Sequence, residues 1–94
     1  MIPREKNPDY LNSFLDYSIT ILNKSPNSVK EYNYDLTNFF RFIMIHFNMT
    51  NEEDQEKIDI TKFTKDDLRK IELEDIHAYI SHLAIDNRAK ATTR

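Results

Sequence analysis

The 94-residue chain contains no cysteine and no glycine. Without cysteine there are no disulfides, no thiolate metal sites and no thiol nucleophiles, a composition that suits a reducing compartment. Without glycine there is no phosphate-cradling loop, no dinucleotide fingerprint and no nucleophile elbow. Long hydrophobic runs are missing as well. The longest, Phe42-Ile43-Met44-Ile45, falls far short of the roughly 20 residues of a membrane span. The first residues, Met1-Ile2-Pro3-Arg4-Glu5-Lys6, lack the apolar segment of a secretory signal. A cytoplasmic protein with no membrane partner is expected. What is present suits one small domain over residues 1–94: 39% hydrophobic and 31% charged residues allow a modest core and argue against disorder. At this size stability is marginal.

Charge is unevenly spread. The net charge is −3, with five basic and five acidic groups in residues 1–49, five and ten in 50–76, and three and one in 77–94. The overall sign argues against a nucleic-acid partner. The negative charge is confined to the middle, however, which permits a neutral-to-basic surface elsewhere.

With no glycine and no alternating β-branched runs, the chain reads as all-helical. A first helix is predicted from Pro8 to Leu22, with Asn7 as N-cap and Pro8 at the first helical position. Leu11, Phe14, Leu15, Ser18 and Leu22 form its apolar stripe, widened by Tyr10, Tyr17 and Ile21. Asn23 takes the left-handed stop that glycine usually fills. Ser25-Pro26 opens a second helix that runs to about Phe47. Val29, Tyr32, Leu36, Phe39, Phe40, Ile43 and Phe47 keep one of its faces buried, and Asn48 is its stop. Residues 49–63 read as a polar, acidic and mobile connection. Thr64-Lys65-Asp66-Asp67 resembles a capping box and opens a short helix to Lys70. A last helix follows from Leu73 to Asn87, with Ile76, Tyr79, Ile80 and Leu83 on one face. After it, residues 88–94 read as a loop with Thr92 or Thr93 capping a further helix, as in a fragment of a longer protein. That truncation would leave apolar surface of Tyr79, Leu83 and the second helix exposed and invite self-association.

No catalytic constellation is visible. His77 and His82 are five apart where a zinc pair on a helix needs four. His46 is alone. Glu52-Glu53-Asp54-Gln55-Glu56 lacks the glycine and ligand spacing of a calcium loop, and Asp66-Asp67 is explained by capping. Most of the tyrosines and phenylalanines fall on core stripes. Tyr34 is the exception, on the outer face of the second helix near Asn27 and Lys30. Lys24, Ser25, Asn27, Ser28 and Lys30 cluster at that helix's amino end. Free backbone N–H groups, small polar side chains and two lysines there suit a phosphate, and equally suit a helix cap.

The run from Lys24 to Phe39, Lys-Ser-Pro-Asn-Ser-Val-Lys-Glu-Tyr-Asn-Tyr-Asp-Leu-Thr-Asn-Phe, resembles the S-x-N-T-x-x-x-Y-x-x-D-L-x-x-F opening of the N-terminal core-binding domain of tyrosine recombinases, the Xer and phage-integrase family. Leu11 to Tyr17 is similar to the family's first helix, and Ile71 to Leu83 to its I-T-x-E-D-I-x-x-Y-L-x-x-L segment. Ala91-Thr92-Thr93-Arg94 is similar to the start of its next helix. Departures are Ser28 for the usual Thr, Glu72 where a Thr cap is common, and a longer acidic insertion at 50–62.

The resemblance implies a small orthogonal four-helix-type bundle, SAM-like, with its fourth helix truncated. It implies one half of a clamp on double-stranded DNA, assembled with other recombinase subunits. The catalytic Arg, Lys, His-x-x-Arg and nucleophilic Tyr belong to a separate C-terminal domain and are absent here, so the chain itself is expected to be non-catalytic and none of its five tyrosines is a candidate nucleophile. No cofactor, metal or small-molecule substrate is implied, since transesterification through tyrosine conserves the bond energy. By position, Asn27, Ser28, Lys30, Glu31 and Tyr34 fall on the DNA-facing side of the second helix, and Lys90, Thr92, Thr93 and Arg94 at the start of the fourth. Side-chain chemistry assigns Lys24, Ser28 and Arg94 to phosphates, Lys30 to a base edge and Tyr34 to a groove contact. The competing expectation is an acidic helical protein-interaction module that never touches DNA.

Overall fold

The computed structural model describes residues 4–92, with side chains for 5–86. Four α-helices run in the order α1 (Asp9–Thr20), α2 (Pro26–His46), α3 (Lys65–Arg69) and α4 (Leu73–Thr92), and there is no strand among the described residues. Short 3-10 turns cover Arg4–Lys6, Gln55–Lys57 and Ile60–Lys62. The result is a small all-α domain. No described helix is long and apolar enough to cross a membrane.

α1 is shorter than its pattern suggests. Pro8, not Asn7, holds the N-cap position, and no side chain caps it. Asn7 is buried instead, and its amide donates to Asn33 on α2 at 2.7 Å and to Asn12 at 3.2 Å. A bond across 26 residues has displaced the local cap. At the other end, the N–H groups of Ile21 and Leu22 both return to the Tyr17 carbonyl, and Asn23 turns the chain at φ 53°. Leu11, Leu15 and Ser18 are buried, whereas Phe14, Tyr17, Ile21 and Leu22 are exposed. The buried seam is therefore narrower than the apolar stripe.

α2 is the central element. Ser25 caps it, accepting from the Ser28 N–H at 3.2 Å, and Pro26 follows at the first helical position. Val29, Phe40, Ile43 and Met44 are its buried residues. Asn48 ends it at φ 57°: its N–H bonds to the Ile45 carbonyl, and the Met49 N–H to the Met44 carbonyl. This is the Schellman arrangement, with asparagine in the place glycine normally takes.

Residues 49–63 overturn the expectation of a mobile connection. Ile58, Ile60 and Phe63 are buried, making up three of the nine buried hydrophobic residues of the core. Asp54 and Asp59 cap the two 3-10 turns that aim them inward. Phe63 stacks on Phe40 at 5.5 Å, and its carbonyl accepts from the Tyr10 hydroxyl at 2.7 Å. The acidic side chains of this segment face solvent while Ile58, Ile60 and Phe63 dock.

Burial, with the nearby Asp67 charge, pushes the Tyr10 phenol up to about 12. The folded state therefore favours the protonated phenol. Its contribution is complete below the ordinary tyrosine range and declines as pH rises from about 10 toward 12. Tyr10→Phe is expected to cost about 1.5 kcal/mol at neutral pH, through the unpaired Phe63 carbonyl. The gap between variant and wild type should close above pH 11. Urea midpoints at pH 7 and pH 11 check both; a gap independent of pH would refute the titration.

The capping box on α3 is complete. The Thr64 hydroxyl accepts from the Asp67 N–H, and the Asp67 carboxylate accepts from the Thr64 N–H, which holds that carboxyl below its usual range. At the start of α4, Asp75 supplies the return bond, accepting from the Glu72 N–H at 2.8 Å. Its other oxygen meets His46 Nε2 at 3.0 Å, pinning the end of α2 to the beginning of α4. His46 is thus an exposed histidine, but not a lone one.

α4 corrects the reading of the C-terminal segment. It does not stop at Asn87 but continues to Thr92. Arg88, Ala89, Lys90 and Ala91 are strong helix formers with no breaker among them. No loop and no new helix start occupy 88–92, and Thr92 is not a cap.

Candidate nucleic-acid interface

α2 presents two different faces. Its inner face carries the core. Its outer face carries Asn27, Lys30 and Tyr34 and, further along, Thr37, Asn38 and Arg41. Lys24, Asn27, Lys30 and Glu31 are exposed, and Tyr34 is 68% exposed although it is a large aromatic residue. Ser28 is half-buried. Ser25 Oγ donates to Ser28 Oγ at 3.1 Å, which leaves the Ser28 hydroxyl proton free for another acceptor. These six predicted residues do lie together, around the capped amino end of one helix, where unpaired N–H groups favour an anion.

The other four are differently placed. Lys90 and Thr92 lie on the last turns of α4, whose side chains are not among those described. Thr93 and Arg94 lie outside the described residues. The course of α4 is informative. It runs antiparallel to α2, with Asp75 against His46, then Tyr79 against Phe42 and Phe39, then His82 against Phe42. Further on, Leu83 and Asp86 line the same groove as Tyr34 and Asp35. α4 therefore advances toward the end of the molecule where α2 begins. Its outer half packs loosely: residues 80–86 are all exposed, including Ile80, Leu83 and Ile85. Of the residues expected to remain exposed, Leu83 does and Tyr79 does not, being wedged between two phenylalanines.

The sequence reading missed a groove. About 620 Å³ of space separates the outer face of α2 from the N-terminal turn and the 56–61 segment. Lys30 and Tyr34 line it, and so do Asn33, Asn38, Arg41 and Lys57. Arg41 was legible in principle, since it lies seven residues after Tyr34 on the same helical stripe. Lys57 was not, because it sits in a segment whose summed charge hides it. The middle segment also places acids here: Glu56 and Asp59 line the same groove. The Thr61 hydroxyl and N–H hold the Asp59 carboxyl below its usual range, so it stays charged at neutral pH. The acidic segment is thus not segregated from the candidate interface.

Burial raises the Tyr79 phenol, with the charge of Asp35 adding to it, as burial does for Tyr10, which opposes nucleophilic use. Among the described residues no group of three or more His, Asp or Glu side chains is placed to hold a metal ion.

Comparison with known proteins places this geometry in context. No family model matches the chain, and no solved structure matches it significantly. Tyrosine recombinase XerC of Caldanaerobacter subterraneus subsp. tengcongensis is 36% identical to it over 77 residues. The match covers 81% of the chain but only 22% of that relative's length. Over most of its residues, then, the chain is a tyrosine recombinase-related domain.

Proposed function

We propose that the chain is the DNA-binding, non-catalytic domain of a tyrosine site-specific recombinase. In this reading it acts in the cytoplasm, gripping one side of a recombination half-site in double-stranded DNA as part of a clamp. A separate catalytic domain and other recombinase subunits then carry out strand cleavage and rejoining. The observation that carries the reading is the exposed polar face at the amino end of α2: Lys24, Asn27, Ser28, Lys30 and Tyr34 around a serine-capped helix start. Its force comes from its setting in a chain 36% identical to a recombinase named XerC. Lys24 and the Ser28 hydroxyl would bond phosphates, while Lys30 and Tyr34 would reach into the groove. Lys90, Thr92, Thr93 and Arg94 would add a second set of contacts.

A second reading, a protein-interaction module without DNA contact, draws on the net charge of −3 and on the exposed aliphatic residues Ile76, Ile80, Leu83 and Ile85 of α4. Salt separates the two. Titration of a fluorescent mixed-sequence duplex between 50 and 200 mM salt is expected to give a log–log slope of about −0.9 per phosphate contacted. A flat profile, or no binding at 50 mM, would favour the interaction module.

A further inference from the structure

The groove between α2 and the 56–61 segment has chemistry that a helix cap does not explain. Lys6, Lys30, Arg41 and Lys57 line it from three separate stretches of the chain. Opposing them are Glu5, Glu56 and Asp59, so the lining is slightly basic in a chain that is acidic overall. Neutral donors, Asn33, Thr37, Asn38 and Thr61, stand between the charges.

Among the lining residues Arg41 carries a buried donor without a partner. A guanidinium offers five N–H donors. Here Nε is shielded from solvent with no partner, and Nη2 makes one long bond, 3.4 Å, to the Glu56 carbonyl. Among the described residues no carboxylate pairs with it, although Glu56 lines the same groove. A planar donor fork left so open matches a phosphate oxygen pair more closely than it matches the carbonyl it now touches.

The spacing fits a nucleic-acid backbone. From Asn27 to Arg41 the outer face of α2 extends about 21 Å at ~1.5 Å per residue. At about 3.4 Å per base pair along one strand that is the length of some six base pairs. Asn27, Lys30, Tyr34 and Arg41 lie along one continuous stripe.

We infer that this groove is an extension of the DNA-binding surface, in which Arg41 and Lys57 take backbone phosphates from opposite walls. The inference rests on the DNA-binding reading, but assigns contacts that the amino end of α2 does not include. It also gives the acidic middle segment a part: its 3-10 turns, docked by Ile58 and Ile60, carry Lys57 up to the groove and form its second wall.

The test uses the full 94-residue chain with a fluorescent mixed-sequence duplex. Affinity is measured from 50 to 200 mM salt for the wild type, Arg41→Ala, Lys57→Ala, Lys30→Ala and Lys65→Ala. Lys65 is exposed on α3 and does not line the groove, so its removal changes net charge equally without touching the site. Thermal melts establish that each variant is folded, and Arg41→Lys stands in for the alanine variant should that one melt early. Each lost phosphate contact should reduce the slope by about 0.9 and the affinity ratio between the two salts about threefold. Arg41→Ala and Lys57→Ala are expected to do so, and Lys65→Ala to match the wild type. If Lys30→Ala weakens binding while both groove variants keep the wild-type slope, the groove inference is overturned and the α2 reading stands. Equal losses in all four variants would also overturn it, as a general charge effect. If the wild type binds no DNA, both readings fall together.

Discussion

Replacing Phe63 with alanine is expected to cost about 3–5 kcal/mol, the usual range for emptying a fully buried phenylalanine site. A domain of this length has only about 5–14 kcal/mol to lose. Phe63 is 0% exposed, stacks on Phe40 and presents its carbonyl to Tyr10. It therefore joins α1, α2 and the middle segment at one point. The Tyr10 and Phe40 rings are also in edge contact at 5.7 Å, so a cavity at Phe63 loosens all three. Urea unfolding followed by circular dichroism should show the midpoint collapse. Ile45→Ala serves as comparison, since Ile45 lies on the same helix as Phe40 but is 38% exposed. It should cost no more than about 1 kcal/mol. Equal midpoints for the two variants would mean that residues 49–63 are not docked, and the second wall of the groove would be lost with them.

Lys30→Ala carries the largest expected effect on binding, about 1–3 kcal/mol if the lysine reads a base edge. That is a loss of about 5- to 150-fold in affinity. Lys30 is exposed, one helical turn before Tyr34, and lines both the groove and the shallow recess beside Glu31 and Asp35. Those two carboxylates discourage a close phosphate, and Lys30, which can only donate, would bond a base-edge acceptor such as guanine O6 or N7. Selection from random duplexes would supply a preferred site. A loss confined to that site, with one base preference relaxed, marks a base contact. An equal loss on every duplex, with a salt slope lower by about 0.9, marks a phosphate contact instead.

Much of this fold was legible along the chain, because the signals involved act over a few residues. Ser25-Pro26 announced the start of α2, Asn23 and Asn48 its flanking turns, and Thr64 with Asp67 a capping box. Each is a hydrogen bond between neighbours, which composition and spacing are enough to specify. The recombinase-like run from Lys24 to Phe39 was legible for the same reason, since one helix carries both the core stripe and the polar face.

Other features were set at longer range. Asn7 looked like a cap and became a partner of Asn33. Ile58, Ile60 and Phe63 looked like minor members of an acidic stretch and became a third of the buried hydrophobic core. The last helix looked as though it ended near Asn87, yet α4 runs past it. The sequence alone determined that this is a small all-helical domain with a polar, capped face at the amino end of α2. Only the tertiary structure decided which apolar residues are buried and which charges share a groove. Helix caps and periodicity are fixed by neighbours, whereas burial and the placing of Arg41 and Lys57 on one groove depend on how the helices and the middle segment pack together.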